Sequence, residues 1–94
     1  MFCRDCLVHL CEADAKAALR NIAAGSFSYV ALTTFTDRTR NKDIRTGRWR
    51  PLNLRLAPFH LPAPLHLINE GCTEENGRFA DKSIGIWRAQ DLKV

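Results

Sequence analysis

An α/β fold, with helix laid on a partly parallel sheet, is what this sequence predicts, and three observations predict it. The apolar start Met1 to Cys3 runs straight into the polar pair Arg4 and Asp5, as the last residues of a strand do. A helical stripe follows, and after it a short, nearly continuous apolar run rich in β-branched and aromatic residues, the signature of a buried parallel strand. Strand end, helix and strand make a βαβ unit, whose two strands lie parallel in one sheet.

The helix is predicted over residues 12–24, because Ala15, Ala18, Leu19, Ile22 and Ala23 fall on one face at i, i+3, i+4, i+7 and i+8. Glu12 and Asp14 occupy its first turn. Arg20 is expected to complement its negative pole, and Gly25 to stop it in the left-handed conformation. FSYVALTTF supplies the strand, residues 28–34. From Thr36 to Arg55 no period is visible, and Arg38, Arg40, Lys42, Arg45, Arg48 and Arg50 are interrupted by Asp37 and Asp43, which predicts a long loop. Loops of this length are uncommon in compact domains unless functional or disordered, and Trp49 and Asn53 favour function. Pro58, Pro62 and Pro64 exclude helix in LAPFHLPAPLHL, leaving an extended apolar connector. Leu65–Glu70 and Ser83–Arg88 read as two strands of a terminal antiparallel hairpin, joined by turn-forming residues from Gly71 to Asp81.

With 94 residues the chain holds one domain at most, and 46% apolar with 26% charged residues is a globular rather than a disordered balance. A net charge of +4 permits anionic partners without selecting them. No apolar run approaches the roughly 20 residues of a membrane helix. Charged residues in MFCRDCLVHLC interrupt what a signal peptide keeps apolar, so a cytoplasmic location is expected, with Cys3, Cys6, Cys11 and Cys72 as reduced thiols.

The wording of several segments is more specific than their pattern. RDCLVHL, ALRNI, TTFTDRTRNKDIRTGRWRPLNL, PFHLPAPL, INEGCTEENGR and ADKSIGIW together resemble a bacterial family of small class I S-adenosylmethionine-dependent methyltransferases, over nearly the whole chain from Phe2 to Leu92. The resemblance implies the C-terminal half of a Rossmann-like methyltransferase sheet, a mixed sheet that closes in an antiparallel hairpin. RDCLVHL would end its fourth strand and begin the next helix, FSYVALTTF would be its fifth strand, and the acceptor side of the active site would lie there. Ligands of open α/β sheets bind outside the carboxyl ends of the strands, which puts Arg4, Asp5, Thr34 and Phe35 on the binding edge, with residues 36–53 as a lid or specificity wall.

The half of that family carrying the glycine-rich turn and the ribose-binding acid is not matched, and none of the five glycines forms a G-x-G pair. These residues are therefore expected to bind S-adenosylmethionine weakly or not at all and to be inactive alone. Without the first strands of the sheet an apolar edge and both sheet faces should be bare, making the chain unstable or self-associating unless a partner supplies the missing N-terminal half. A truncated gene, a captured fragment and one half of a split enzyme are equally compatible with the sequence. The acceptor is expected to be a small molecule, saccharides included.

Methyl transfer needs an aligned acceptor and, where a proton must leave, a base. Asp5 and His9 are the candidates for that base, and Arg4 could orient an anionic group; capping, packing and solvation are their plainer roles. Asn41, Asp43, Trp49, Arg50 and Asn53 would shape the acceptor pocket, or would satisfy the backbone of a long loop. Two other classes compete. Arg38 to Arg55 with Trp49 as a stacking platform resembles a nucleic-acid footprint but carries no recognised motif, and a solvated charged loop is commoner. Cys3-x-x-Cys6 with Cys11, His9, Cys72, His60 or His66 could hold zinc, although one CxxC without a second pair is half a signature. Glu70, Asp81 and Lys82 read as a turn ion pair.

Overall fold

Every residue from Met1 to Val94 is described by the computed structural model, whose elements are β1 (Phe2–Cys3), a 3-10 turn (Leu7–His9), α1 (Glu12–Ala24), β2 (Tyr29–Phe35), β3 (His66–Asn69), α2 (Glu74–Gly77), β4 (Lys82–Arg88) and a second 3-10 turn (Ala89–Asp91). The chain is a small α/β domain on a mixed four-stranded sheet of order β1-β2-β4-β3. β1 and β2 are parallel, while β4 runs antiparallel to both β2 and β3. The helix has the bounds its periodicity predicts, and β2 lies one residue further on than predicted because Phe35 continues the antiparallel pairing, opposite Lys82.

Side chains alternate across the sheet, so the register sorts them onto two faces. Cys3, Val30, Leu32, Thr34, Ser83, Gly85 and Trp87 share one face. Against it pack Ala15, Leu19 and Ile22 of α1 together with Leu7, Leu52, Leu54, Phe59, Leu61 and Leu92. The core is thus closed by the irregular segment as much as by the helix. The proline-rich stretch is not the plain extended connector its sequence predicts. It turns, with Phe59 N–H and His60 N–H both donating to Leu56 O at 3.0 Å, and drops Phe59 and Leu61 into the core.

The opposite face carries Phe2, Tyr29, Ala31, Ile84, Ile86 and Ile68, and no helix covers it. Phe2 is 64% exposed, Tyr29 53% and Ile68 55%. The expectation that both faces would be bare is corrected: α1 and the 52–61 segment suffice for one. The other edge of β1 is unpaired, as is that of β3.

Two expectations about α1 are also corrected. Gly25 is extended (φ −78°, ψ −175°), because the chain runs on toward β2 instead of reversing through a left-handed residue. Arg20 donates to Val94 O at 3.2 Å and does not reach the last-turn carbonyls. The first turn is capped from a distance: Asp43 Oδ1 accepts from Glu12 N at 2.8 Å and Thr46 Oγ1 from Cys11 N at 3.0 Å. No helix is long and apolar enough to cross a membrane.

Candidate functional site

The carboxyl ends of β1 and β2 open into a cleft of about 650 Å³ lined by Asp5, His9, Phe35, Trp49, Cys72, Phe79, Lys82 and neighbouring side chains of the β3–β4 connection. Topology explains the meeting. Asp5 follows β1, Phe35 ends β2, and Lys82 begins the antiparallel β4 directly opposite Phe35. The cleft thus lies at the top of the uncovered face.

Asp5 has φ 56°, the left-handed region that Asp tolerates better than most residues. That turn is held by its N–H donating to Thr33 Oγ1 at 2.8 Å. Its carboxylate receives Lys82 Nζ at 2.9 Å, and Glu70 Oε1 receives Arg4 Nε at 2.6 Å. The other Glu70 oxygen is buried without a hydrogen bond, 3.6 Å from Lys82 Nζ. Burial acts to push Lys82 down, but the bond to Asp5 and the charges of Asp5 and Glu70 outweigh it and hold the ammonium above its ordinary value. The bond to Glu70 likewise raises Arg4. Two cations and two anions here neutralise one another, so Asp5 is already engaged by Lys82.

His9 Nδ1 sits 3.0 Å from Arg48 O. A carbonyl only accepts, so Nδ1 is the protonated nitrogen and a neutral ring keeps its Nε2 lone pair free. His9 is exposed and touches the cleft, as a base must. The same cleft carries an aromatic cluster with rings nearly perpendicular: Phe35–Trp49 at 6.0 Å, Phe35–Phe79 at 6.1 Å and Trp49–Phe79 at 5.0 Å. Such edge-to-face pairs contribute about 0.5–1.5 kcal/mol each beyond burial. Arg38 lies over the Phe79 ring at 5.3 Å and Arg78 at 5.6 Å. Phe35 is fully buried, whereas Trp49 is 41% exposed.

The remaining predicted site residues go elsewhere. Asn41 and Asn53 satisfy loop backbone: Asn41 Oδ1 accepts from Asn53 N at 2.8 Å, and Asn53 Nδ2 donates to Thr36 O and Arg38 O. Asp43 caps α1, and the N–H of Glu12 is the main reason its carboxyl lies below the usual range. Arg50 is buried and donates to Lys42 O, Leu7 O and Val8 O, with burial lowering its pKa. Thr34 accepts from Leu54 N at 3.1 Å. Residues 41, 43, 50 and 53 therefore stitch loop to core, and the lid expected over residues 36–53 is corrected to Trp49 alone. A second cleft of about 350 Å³ on the core side holds Thr34, Asn53 and Trp87, whose polar groups are already bonded internally.

Lys82, Glu70 and Phe79 are site residues that the sequence reading missed. Of the expected turn pair, Glu70 and Lys82 do meet, at 3.6 Å, whereas Asp81 is buried and binds Arg38 at 3.2 Å. Arg38 and Arg50 are thereby withdrawn from the basic stripe. No three His, Cys, Asp or Glu side chains converge as a metal site would need, and all four cysteines are free thiols. Cys3 is pushed up to about 12, chiefly by burial and then by Cys6, which makes it a poor ligand; Cys6 is exposed and donates to Arg4 O at 3.4 Å. Comparison with protein-family models, with curated proteins and with solved structures finds no match to this chain.

Proposed function

We propose that these residues form the acceptor side of an S-adenosylmethionine-dependent methyltransferase of the Rossmann-like class, corresponding to the C-terminal half of its sheet. The observation that carries the reading is the placement of the cleft. It sits at the carboxyl edge of a parallel strand pair, a binding locus of open α/β sheets, and at the top of a sheet face that no helix covers. A parallel pair followed by an antiparallel closing hairpin is also what the sequence resemblance implies.

The residues present do not fit the cofactor. Neither cleft at this edge is lined by glycine, and the carboxylate best placed in the larger one, Asp5, is bound to Lys82. The donor's seat would come from elements outside these residues, which would add strands beside β1, lay helices on Phe2, Ala31, Ile84 and Ile86, and wall the cleft. The chain's own share is the acceptor: His9 Nε2 to accept a proton, Trp49 as a wall, and Asp5 fixed by Lys82 beside them. Alone the chain is inactive and self-associates through the bare face. Its free thiols suit the reducing cytoplasm.

Hydrogen exchange with and without a polypeptide comprising the first three strand-helix units of a class I methyltransferase sheet tests this. The amides of Phe2 and Cys3 and those of β2 are expected to gain protection on mixing. Unchanged exchange along β1, with protection gained elsewhere or nowhere, would contradict the reading.

A further inference from the structure

We infer that the cleft takes a planar aromatic hydroxyl compound, its ring stacked on Trp49 and its hydroxyl donating to His9 Nε2. This rests on the acceptor-side reading above and narrows it. Three features lead to it.

Trp49 is the one ring of the cluster with a large surface left for a ligand. Phe35 is 1% exposed, and the Phe79 ring has Arg38 at 5.3 Å and Arg78 at 5.6 Å. Perpendicular contacts at 5.0 and 6.0 Å fix the indole while the residue stays 41% exposed, which makes a platform already ordered before a ligand arrives.

Several polar groups of the cleft are already committed to one another. Asp5 and Lys82 hold each other at 2.9 Å, and Lys82 also faces Glu70. His9 Nδ1 is committed to Arg48 O. That leaves the second ring nitrogen of His9 and the Cys72 thiol, with the exposed side chains of Glu74, Glu75 and Arg78 completing the lining. A sugar carries several hydroxyls that each lose water on entering, and a hydroxyl desolvated without a partner is costly. A molecule with a flat apolar body and one or two hydroxyls matches this wall.

The geometry within the wall agrees. Arg48, whose carbonyl sets the His9 tautomer, is the residue before Trp49, so the acceptor nitrogen and the stacking surface are anchored by one short piece of chain.

The test is a titration of the full chain followed through its two indole N–H resonances. Trp87, 1% exposed with Nε1 donating to Pro62 O at 2.8 Å, reports the fold, and Trp49 reports the cleft. With p-cresol the Trp49 resonance is expected to move saturably while that of Trp87 stays. Trp49→Ala, read by the line widths of the cresol ring protons, is expected to weaken binding about tenfold or more. His9→Ala is expected to weaken p-cresol by about fivefold or more while leaving toluene, which has no hydroxyl, unchanged. Methyl glucoside is expected to move neither resonance. The inference is overturned if the glucoside moves Trp49 and p-cresol does not, if both indoles move together, if neither moves, or if His9→Ala affects p-cresol and toluene alike. None of these readouts involves the methyl donor, so a failure here leaves the methyltransferase reading to its own test.

Discussion

Gly85 sits in the middle of β4 with ordinary backbone geometry, yet its lack of a side chain is required by Trp87. A methyl group built on Gly85 would lie 2.5 Å from one carbon of the Trp87 ring and 2.6 Å from another, because the indole folds back across the strand position two residues before it. The ring cannot simply swing away: it is 1% exposed and its Nε1 is bonded to Pro62 O at 2.8 Å. Gly85→Ala therefore forces the core to give. Overpacking of this kind costs about 1–3 kcal/mol, and a weakened indole hydrogen bond adds about 0.5–1.5 kcal/mol. Against this, replacing glycine reduces the freedom of the unfolded chain and returns about 0.4–1 kcal/mol. Steric conflict wins, with a net loss of roughly 1–4 kcal/mol. Urea denaturation measures it, and a cycle with Trp87→Leu isolates the cause, since the alanine should cost far less where no indole lies over it. Equal costs in the two backgrounds, or a Gly85→Ala chain as stable as the parent, would refute the argument.

Arg50 should depend strongly on what replaces it. Leu7 O and Val8 O keep backbone donors without its side chain, so Arg50→Met, which fills the space and removes a desolvated charge, is expected to cost under about 2 kcal/mol, whereas Arg50→Ala adds a cavity and should cost about 3–4 kcal/mol in the same urea assay. Asp43 titrates lower in the folded chain than unfolded, so its contribution is complete above the unfolded carboxyl value near about 4 and is lost as pH falls through its folded value. Asp43→Asn still accepts from Glu12 N, and its acid unfolding curve should be flatter than that of the parent. Lys82 is raised, so the stability it adds is present below about 10.4 and disappears as pH climbs through its folded value. Lys82→Met should flatten the alkaline limb, and an unchanged slope there would contradict the Asp5–Lys82 pairing.

Local and periodic features were legible in the sequence. α1 has the predicted bounds because its stripe repeats along a single stretch of chain, and β1, β2 and the closing strands follow from short apolar runs bounded by turn residues. What could not be read were interactions set by the arrangement of those elements in space. Asp43 reaches α1 across 31 residues and Lys82 reaches Asp5 across 77, and no spacing rule connects such positions. Leu52, Leu54, Phe59 and Leu61 enter the core from irregular backbone, where neither the helical nor the strand period applies. The same loop polarity that suggests a lid also suits a segment whose amides satisfy its own backbone, and Asn41 with Asn53 took the second course. A signal for the missed Lys82 did exist: a charged residue opening the last strand of an antiparallel hairpin lies beside the carboxyl end of whichever parallel strand it joins.

Whether the methyl donor's seat lies outside these residues is measured most directly by isothermal calorimetry with S-adenosylhomocysteine. The chain alone should give no saturable heat, and the chain combined with the complementary half of such a sheet should bind. Saturable, one-to-one binding by the chain alone would contradict the account, because its own clefts would then be sufficient to hold the nucleoside.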